Sequence, residues 1–96
     1  GKRASIEALS EQKRAEYLPI IKESGRTRTH LKIRAKERTF FGRKFTRTLG
    51  QGYAFSISYT HGVGLLDPKS GKLKHIHWYK IDSITVCEDP SQPRRP

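Results

Sequence analysis

Basic residues are concentrated in residues 25–50, which have the sequence GRTRTHLKIRAKERTFFGRKFTRTLG. This segment contains nine cations and a single acid, Glu37. The cations are Arg26, Arg28, Lys32, Arg34, Lys36, Arg38, Arg43, Lys44 and Arg47. Cations in such a row neutralise phosphates and release their counterions, which gives strong, salt-sensitive binding. Because ordinary solvated surfaces mix both signs of charge, we interpret the segment as a surface for a chain of phosphates.

A second kind of contact is predicted for the segment HIHWYK, residues 75–80. Neighbouring strand residues point to opposite faces, so we expect either Trp78 or Tyr79 to be accessible and to stack on an unpaired base. Together with the cations, this segment forms the predicted nucleic-acid-binding site. Its residues are Arg26, Arg28, Lys32, Arg34, Lys36, Arg43, Lys44, Arg47, His75, His77, Trp78, Tyr79 and Lys80.

Metal binding and catalysis have weaker support in the sequence. His75 and His77 share a strand face, but zinc usually takes three or four ligands, and Cys87 is the only thiol. We therefore predict no metal, no cofactor and no catalytic residue. A small basic ribonuclease is a minority alternative, although no spacing signature marks it. Its acid-base set would be His61, His75, His77, Lys80 and Arg47.

The composition limits the class of protein. The chain has 96 residues, a formal charge of +11 and a pI near 10.2, and one third of it is hydrophobic, enough for one small core. Such a charge commonly marks a nucleic-acid or anionic-membrane partner, and assembly into a homo-oligomer or larger complex stays open. No apolar run is long enough to span a membrane. With its lone cysteine, the chain is expected to be intracellular, in the cytoplasm or nucleus.

One helix followed by several strands is predicted to position these residues. The helix covers residues 5–24, bends or breaks at Pro19 and stops at Gly25. Its apolar face is expected to contain Ile6, Leu9, Tyr17 and Ile20. Period-two patterns predict strands over residues 27–36, 39–49, 53–60, 73–79 and 81–87, with turns at 50–52 and 67–71. Residues 61–66 are expected to form a bulge or a continuation of the third strand.

This order predicts a mainly β (α+β) fold, in which an N-terminal helix covers a five-stranded antiparallel small barrel or strongly bent sheet. Residues 1–88 are expected to form a single basic domain. Residues 89–96, rich in proline and arginine, are expected to be a tail or linker. The predicted core contains Phe55, Ile57, Ile76, Ile84 and Val86.

Two stretches together resemble a Sm-like domain, a small SH3-like barrel. HLKIRAKERTFFGRKFTRTLGQGYAFSI is similar to its first half, and GKLKHIHWYKIDSITV to its second half, where a strand runs by a very short connection into an I-x-x-I-x-V strand. The resemblance covers residues 5–87 and implies RNA binding. The acidic and asparagine residues of the family's first motif are replaced by Leu49, Gly50 and Gln51. Tyr79 and Lys80 replace the Arg-Gly of the second.

Another stretch, HGVGLLDPKSGKLKHIHWYKIDSITVCED, is similar to the middle strands of pleckstrin-homology and phosphotyrosine-binding domains. That resemblance implies a membrane or protein-interaction module that binds anionic headgroups with the same cations. Those domains close with a long C-terminal helix, which this chain replaces with a proline-rich segment. We therefore expect non-catalytic nucleic-acid binding, with RNA favoured over DNA, and keep the pleckstrin-homology-like module as the alternative.

Overall fold

The computed structural model describes residues 2–87. Its elements are α1 (Lys2–Thr27), β1 (Leu31–Arg38), β2 (Lys44–Ile57), β3 (Gly62–Leu66), β4 (Leu73–His77), a 3₁₀ helix (Trp78–Lys80) and β5 (Ser83–Val86). The strands form one antiparallel sheet in the order β4-β3-β2-β1-β5. This confirms the α+β fold, and because the two edge strands β4 and β5 do not pair with each other, the sheet is not closed into a barrel. Residues 89–96, the predicted tail, lie outside the described residues.

The long strand β2 connects the two halves of the sheet. Its first part pairs with β1, which pairs with β5, and its second part pairs with β3, which pairs with β4. Leu49 and Phe55 are extra residues in the two registers, and such bulges bend and twist a strand. The predicted turn at 50–52 is therefore wrong, because the strand continues through it. Residues 62–66 form a separate strand rather than a continuation.

The helix α1 extends three residues further at each end than predicted, and it passes through Pro19 without a break. It ends in a Schellman motif: Arg28 has φ 56°, and the Thr29 amide donates to the Ser24 carbonyl at 3.1 Å. Gly25 is not the stop that we predicted. A Cβ there would lie 3.0 Å from the Ala54 carbonyl oxygen, so this glycine lets α1 approach β2 closely.

The core lies between α1 and the two halves of the sheet. Its buried residues are Tyr17, Ile21, Leu31, Ile33, Ala54, Val63, Leu65, Ile76, Trp78 and Ile81. On α1, Tyr17 and Ile21 face this core, whereas Ile6, Leu9 and Ile20, predicted for the same face, are exposed. The side-chain hydrogen bonds from α1 to the rest of the fold begin at Lys13 and Arg14, and residues 4–9 of the helix are exposed.

Part of the predicted core is wrong because a bulge in β2 changes which residues of the strand face inward. Phe55 is the extra residue in its register, so Ala54 faces inward while Phe55 and Ile57 are exposed. Val86, on the short edge strand β5, is also exposed. Ile76 is buried and Ile84 packs against the core while half-buried, as predicted. The alternation rule holds within a regular ladder and fails across a bulge.

Candidate nucleic-acid interface

Beyond the body of the sheet, β1 and the first part of β2 continue as a two-stranded ribbon, residues 34–48. The edge strand β5 pairs with β1 only up to the Arg34–Ser83 pair, and from there to Arg38, within residues 2–87, β1 pairs only with β2. Every residue from 38 to 48 is exposed. The ribbon is therefore accessible to a ligand along most of its length.

Asp82 holds the base of the ribbon against α1. Its backbone amide donates to the Arg34 carbonyl at 2.9 Å, and its Oδ2 accepts from the Lys36 amide at 2.6 Å. Its Oδ1 accepts from Lys13 Nζ at 3.4 Å. These contacts satisfy part of the free edge of β1, so the ribbon leaves the sheet in a defined direction.

One face of the ribbon and of the adjoining sheet, which we call the outer face, has five cations: Lys32, Arg34, Lys36, Arg38 and Lys44. The first four alternate along β1 with buried or half-buried residues, and Lys44 pairs with Arg38 across the ribbon. The predicted separation of apolar and cationic residues on β1 therefore occurs. None of the five cations has an ion-pair partner among residues 2–87.

The opposite face of the ribbon contains mixed charges. Arg47 Nη2 lies 2.9 Å from Glu37 Oε1. Together with Tyr79, Lys80 and Asp82, these two residues line a groove of about 210 Å³. The predicted residues Arg47, Tyr79 and Lys80 thus lie together, but beside two carboxylates and not on the outer face.

Arg26 and Arg28 lie at the C-terminal end of α1, at the opposite end of β1 from the ribbon tip. The Arg26 guanidinium binds the Glu23 carboxylate, with a second contact of 3.0 Å from Nε to Oε2, and this hydrogen bonding lowers the pKa of Glu23. The Arg28 guanidinium lies over the Tyr53 ring, 5.8 Å from its centroid. Local contacts of the fold therefore occupy both arginines, which the structure does not bring to the outer face.

In the HIHWYK segment, the predicted stacking on a base is wrong for Trp78 and stays a prediction for Tyr79. Trp78 is fully buried in the core, and its Nε1 donates to the Ser58 carbonyl at 2.8 Å. Tyr79 is half-buried and stacks on His77, with ring centroids 5.5 Å apart. Strand parity cannot be applied here, because residues 78–80 form a 3₁₀ helix rather than the end of β4.

Three of the four histidines form a separate group on the other half of the sheet. His61, His75 and His77 line one groove of about 160 Å³, whereas Lys80 and Arg47 line the groove beside the ribbon. The acid-base set of the ribonuclease alternative is therefore divided between two sites. Within residues 2–87, no group of three or more His, Cys, Asp or Glu side chains is placed to hold a metal ion.

The ribbon tip contains two residues that the sequence analysis missed, Phe40 and Phe41. They are 98% and 92% exposed. The tip is a tight turn in which the Gly42 amide donates to the Thr39 carbonyl at 2.9 Å and Gly42 has φ 81°. The signal was an aromatic pair followed by glycine between two strand patterns. We did not recognise this turn signal because we assigned residues 39–49 to a strand.

Comparisons of the chain with protein-family models, with curated proteins and with solved structures find no match. No helix within residues 2–87 is both long and apolar enough to cross a membrane. The two family resemblances therefore remain predictions, and the function must be argued from the surface itself.

Proposed function

We propose that this protein binds nucleic acid without catalysis, through the outer face, and that it prefers RNA to DNA. The observation that supports this proposal is the row of five cations on one face of the ribbon and of the adjoining sheet. Arg38, which the sequence prediction omitted from the site, belongs to this row.

The spacing of the cations fits a linear polyanion. Side chains on one face of a strand repeat every two residues, roughly every 6.6 Å, so Lys32 and Arg38 are roughly 20 Å apart. A polynucleotide presents phosphates one after another along such a row, and each cation can meet a different phosphate. A single anionic headgroup would meet only the nearest cations, because exposed charges more than about 10 Å apart are largely screened. The row therefore favours nucleic acid over the pleckstrin-homology-like alternative.

The preference for RNA is supported by the aromatic rings close to these cations. Phe40 and Phe41 are exposed at the ribbon tip, within four residues of Arg38 and Lys44 along the chain. Exposed rings stack on unpaired bases, and RNA presents such bases in loops, bulges and ends. The ribbon thus offers both kinds of contact that a single-stranded ligand needs.

The test is a fluorescence-anisotropy titration of a labelled single-stranded RNA at a series of salt concentrations. Arg34→Gln, Lys36→Gln and Arg38→Gln, combined in one variant, should weaken binding and reduce the log-log salt slope by about two, since each phosphate contact on a single strand contributes about 0.7. A matched control changes Lys22, Lys69 and Lys72 to Gln. These are exposed residues outside the ribbon, so the same loss of charge should leave the slope close to that of the wild type.

Several outcomes would contradict the proposal. Binding that does not depend on salt, or an equal effect of the two triple variants, would mean that the outer face is not the site. Parallel titrations with DNA of the same sequence and with phosphatidylserine vesicles test the ligand class. Tight binding to vesicles with none to RNA or DNA would favour the pleckstrin-homology-like alternative.

A further inference from the structure

The two phenylalanines at the ribbon tip are exposed and lie outside the hydrophobic core. Phe40 and Phe41 occupy the central positions of the turn, where polar residues and glycine usually occur. Their rings touch each other edge to face, with centroids 5.6 Å apart and planes at 90°. The turn is fixed without them by backbone bonds and by Thr39 Oγ1, which accepts from the Arg43 amide at 3.1 Å. Two almost fully exposed rings on a defined turn form an apolar surface that a ligand can cover.

The residues around the tip define the chemistry of that ligand. Arg38, Arg43 and Lys44 flank the two rings and are exposed, and residues 38–44 contain no acid. A ligand that covers the rings must therefore combine a flat or apolar surface with negative charge on either side of it. An unpaired base between two phosphates has this combination.

An anionic membrane also combines apolar and negative parts, but it fits the ribbon less well. If the tip entered a bilayer, the headgroups would lie in a plane near the tip and contact only the cations beside it. Lys32, eight residues from Phe40 along β1, would stand roughly 26 Å away, beyond the screening length of about 8–10 Å. A polynucleotide can contact the tip and continue along the outer face, so it uses the whole row.

We propose that the ribbon tip is a base-stacking site for an unpaired segment of nucleic acid. One ring of the pair lies flat against a base, while Arg38, Arg43 and Lys44 hold the phosphates on either side of it. Because the rings stand at 90°, they do not enclose one base between them, and the second ring meets the edge of the base or the neighbouring sugar. This inference rests on the proposed function and adds to it the residues that contact the unpaired base and those that hold the phosphates beside it.

The test compares two oligomers with the same number of phosphates, one of uridine and one of abasic nucleotides. Changing Phe40 and Phe41 together to Leu keeps the tip apolar but removes the aromatic faces. This variant should bind the uridine oligomer about tenfold more weakly and the abasic oligomer equally well, with an unchanged salt slope. Phe55→Leu is the matched control, because Phe55 is 60% exposed on β2 outside the ribbon. Its affinity for both oligomers should equal that of the wild type.

A direct readout comes from NMR. The chain has four phenylalanines, so labelling this residue type gives four ring systems to follow. On addition of the uridine oligomer, the signals of the ring that lies flat against the base should move upfield, and the signals of both Phe40 and Phe41 should stay in place with the abasic one. Circular dichroism melting should show that the leucine variant folds as the wild type does, because both side chains are exposed.

The outcomes separate this inference from the proposed function. If the leucine variant binds uridine as tightly as the wild type, or loses affinity equally for both oligomers, base stacking is wrong while the salt-dependent proposal stands. If the wild type binds neither oligomer, the base-stacking inference and the proposed nucleic-acid binding are both wrong. A third variant changes Phe40 and Phe41 together to Ser, which makes the tip polar. If the leucine variant binds phosphatidylserine vesicles, the serine variant does not bind them, and both variants bind the uridine oligomer as the wild type does, the tip inserts into membranes and base stacking is wrong.

Discussion

The buried hydroxyl of Ser24 connects α1, the start of β1 and the middle of β2. Its Oγ donates to the Thr29 carbonyl at 2.6 Å and accepts from the Ala54 amide at 3.1 Å, and the side chain is almost completely buried. Ala54 lies just past the point where β2 leaves β1, so Ser24 provides an acceptor that the ladder with β1 no longer supplies. This one residue thus satisfies two backbone groups at the bend of the sheet.

Replacing Ser24 with Ala should therefore destabilise the protein by about 1–3 kcal/mol, the usual cost of leaving a buried donor or acceptor without a partner. Urea denaturation followed by circular dichroism measures the change. Thr27→Ala provides the control: Thr27 Oγ1 also donates to a backbone carbonyl, that of Glu23 at 2.8 Å, but this residue is exposed. Equal stability losses in the two variants would show that burial of the hydroxyl is not what matters.

At the scale of single residues, the sequence predicted what depends on strand parity alone. The cations on β1 alternate with buried Leu31, Ile33 and Ala35 because β1 is regular. Trp78 could not be placed, since its burial depends on the 3₁₀ helix that turns it into the core and on contacts with β3 and α1. The exposure of Phe40 and Phe41 was not predicted for the opposite reason. Apolar side chains are expected to be buried, and within the described residues nothing covers these two.

At the scale of the elements, the bent strand β2 depends on Gly52. This residue has φ 134°, and a Cβ there would lie 2.2 Å from the Leu66 carbonyl oxygen. The glycine therefore allows two backbones to approach where β2 changes its partner from β1 to β3. A residue with a side chain would force these strands apart.

We expect Gly52→Ala to cost about 2–5 kcal/mol, because it combines an unfavourable φ with a steric clash against backbone. Gly71→Ala is the matched control. Gly71 also has a positive φ, 73°, but nothing lies within 4 Å of a Cβ there, so its cost should be only about 1–2 kcal/mol. Thermal denaturation of both variants measures the difference, and a Gly52 variant as stable as the Gly71 variant would contradict the close approach.

The elements themselves were predicted better than their connections. Periodicity located the helix and most strands, and the Pro-Gly turn before β4 was recognised from its residues. Continuity through residues 50–52 was not predictable, because glycines mark both turns and close backbone approaches. Only the pairing of β2 with both β1 and β3 decides between these. For the same reason, the sequence left open whether the sheet closes into a barrel.

At the scale of the whole molecule, positive charge exceeds what the fold can neutralise. The formal charge is +11, and within residues 4–87 the structure shows three ion pairs: Lys13–Asp82, Arg26–Glu23 and Arg47–Glu37. Exposed or partly exposed pairs of this kind contribute little to stability, because solvent screens them. Five neighbouring cations on the outer face repel one another without such compensation. A partner that supplies negative charge would remove this repulsion, as expected for a protein that binds a polyanion.

This balance predicts how salt changes the stability. Added sodium chloride screens the repulsion along the outer face, so the melting temperature should rise from low to moderate ionic strength even as nucleic-acid binding weakens. The variant with Gln at positions 34, 36 and 38 should melt at a higher temperature than the wild type in low salt and should gain less from added salt. The Gln variant of Lys22, Lys69 and Lys72 should keep most of the wild-type salt dependence, because these lysines lie outside the outer face. Scanning calorimetry at several salt concentrations measures all three proteins. A melting temperature that falls with salt would mean that the ion pairs stabilise the fold more than the repulsion among the outer-face cations destabilises it.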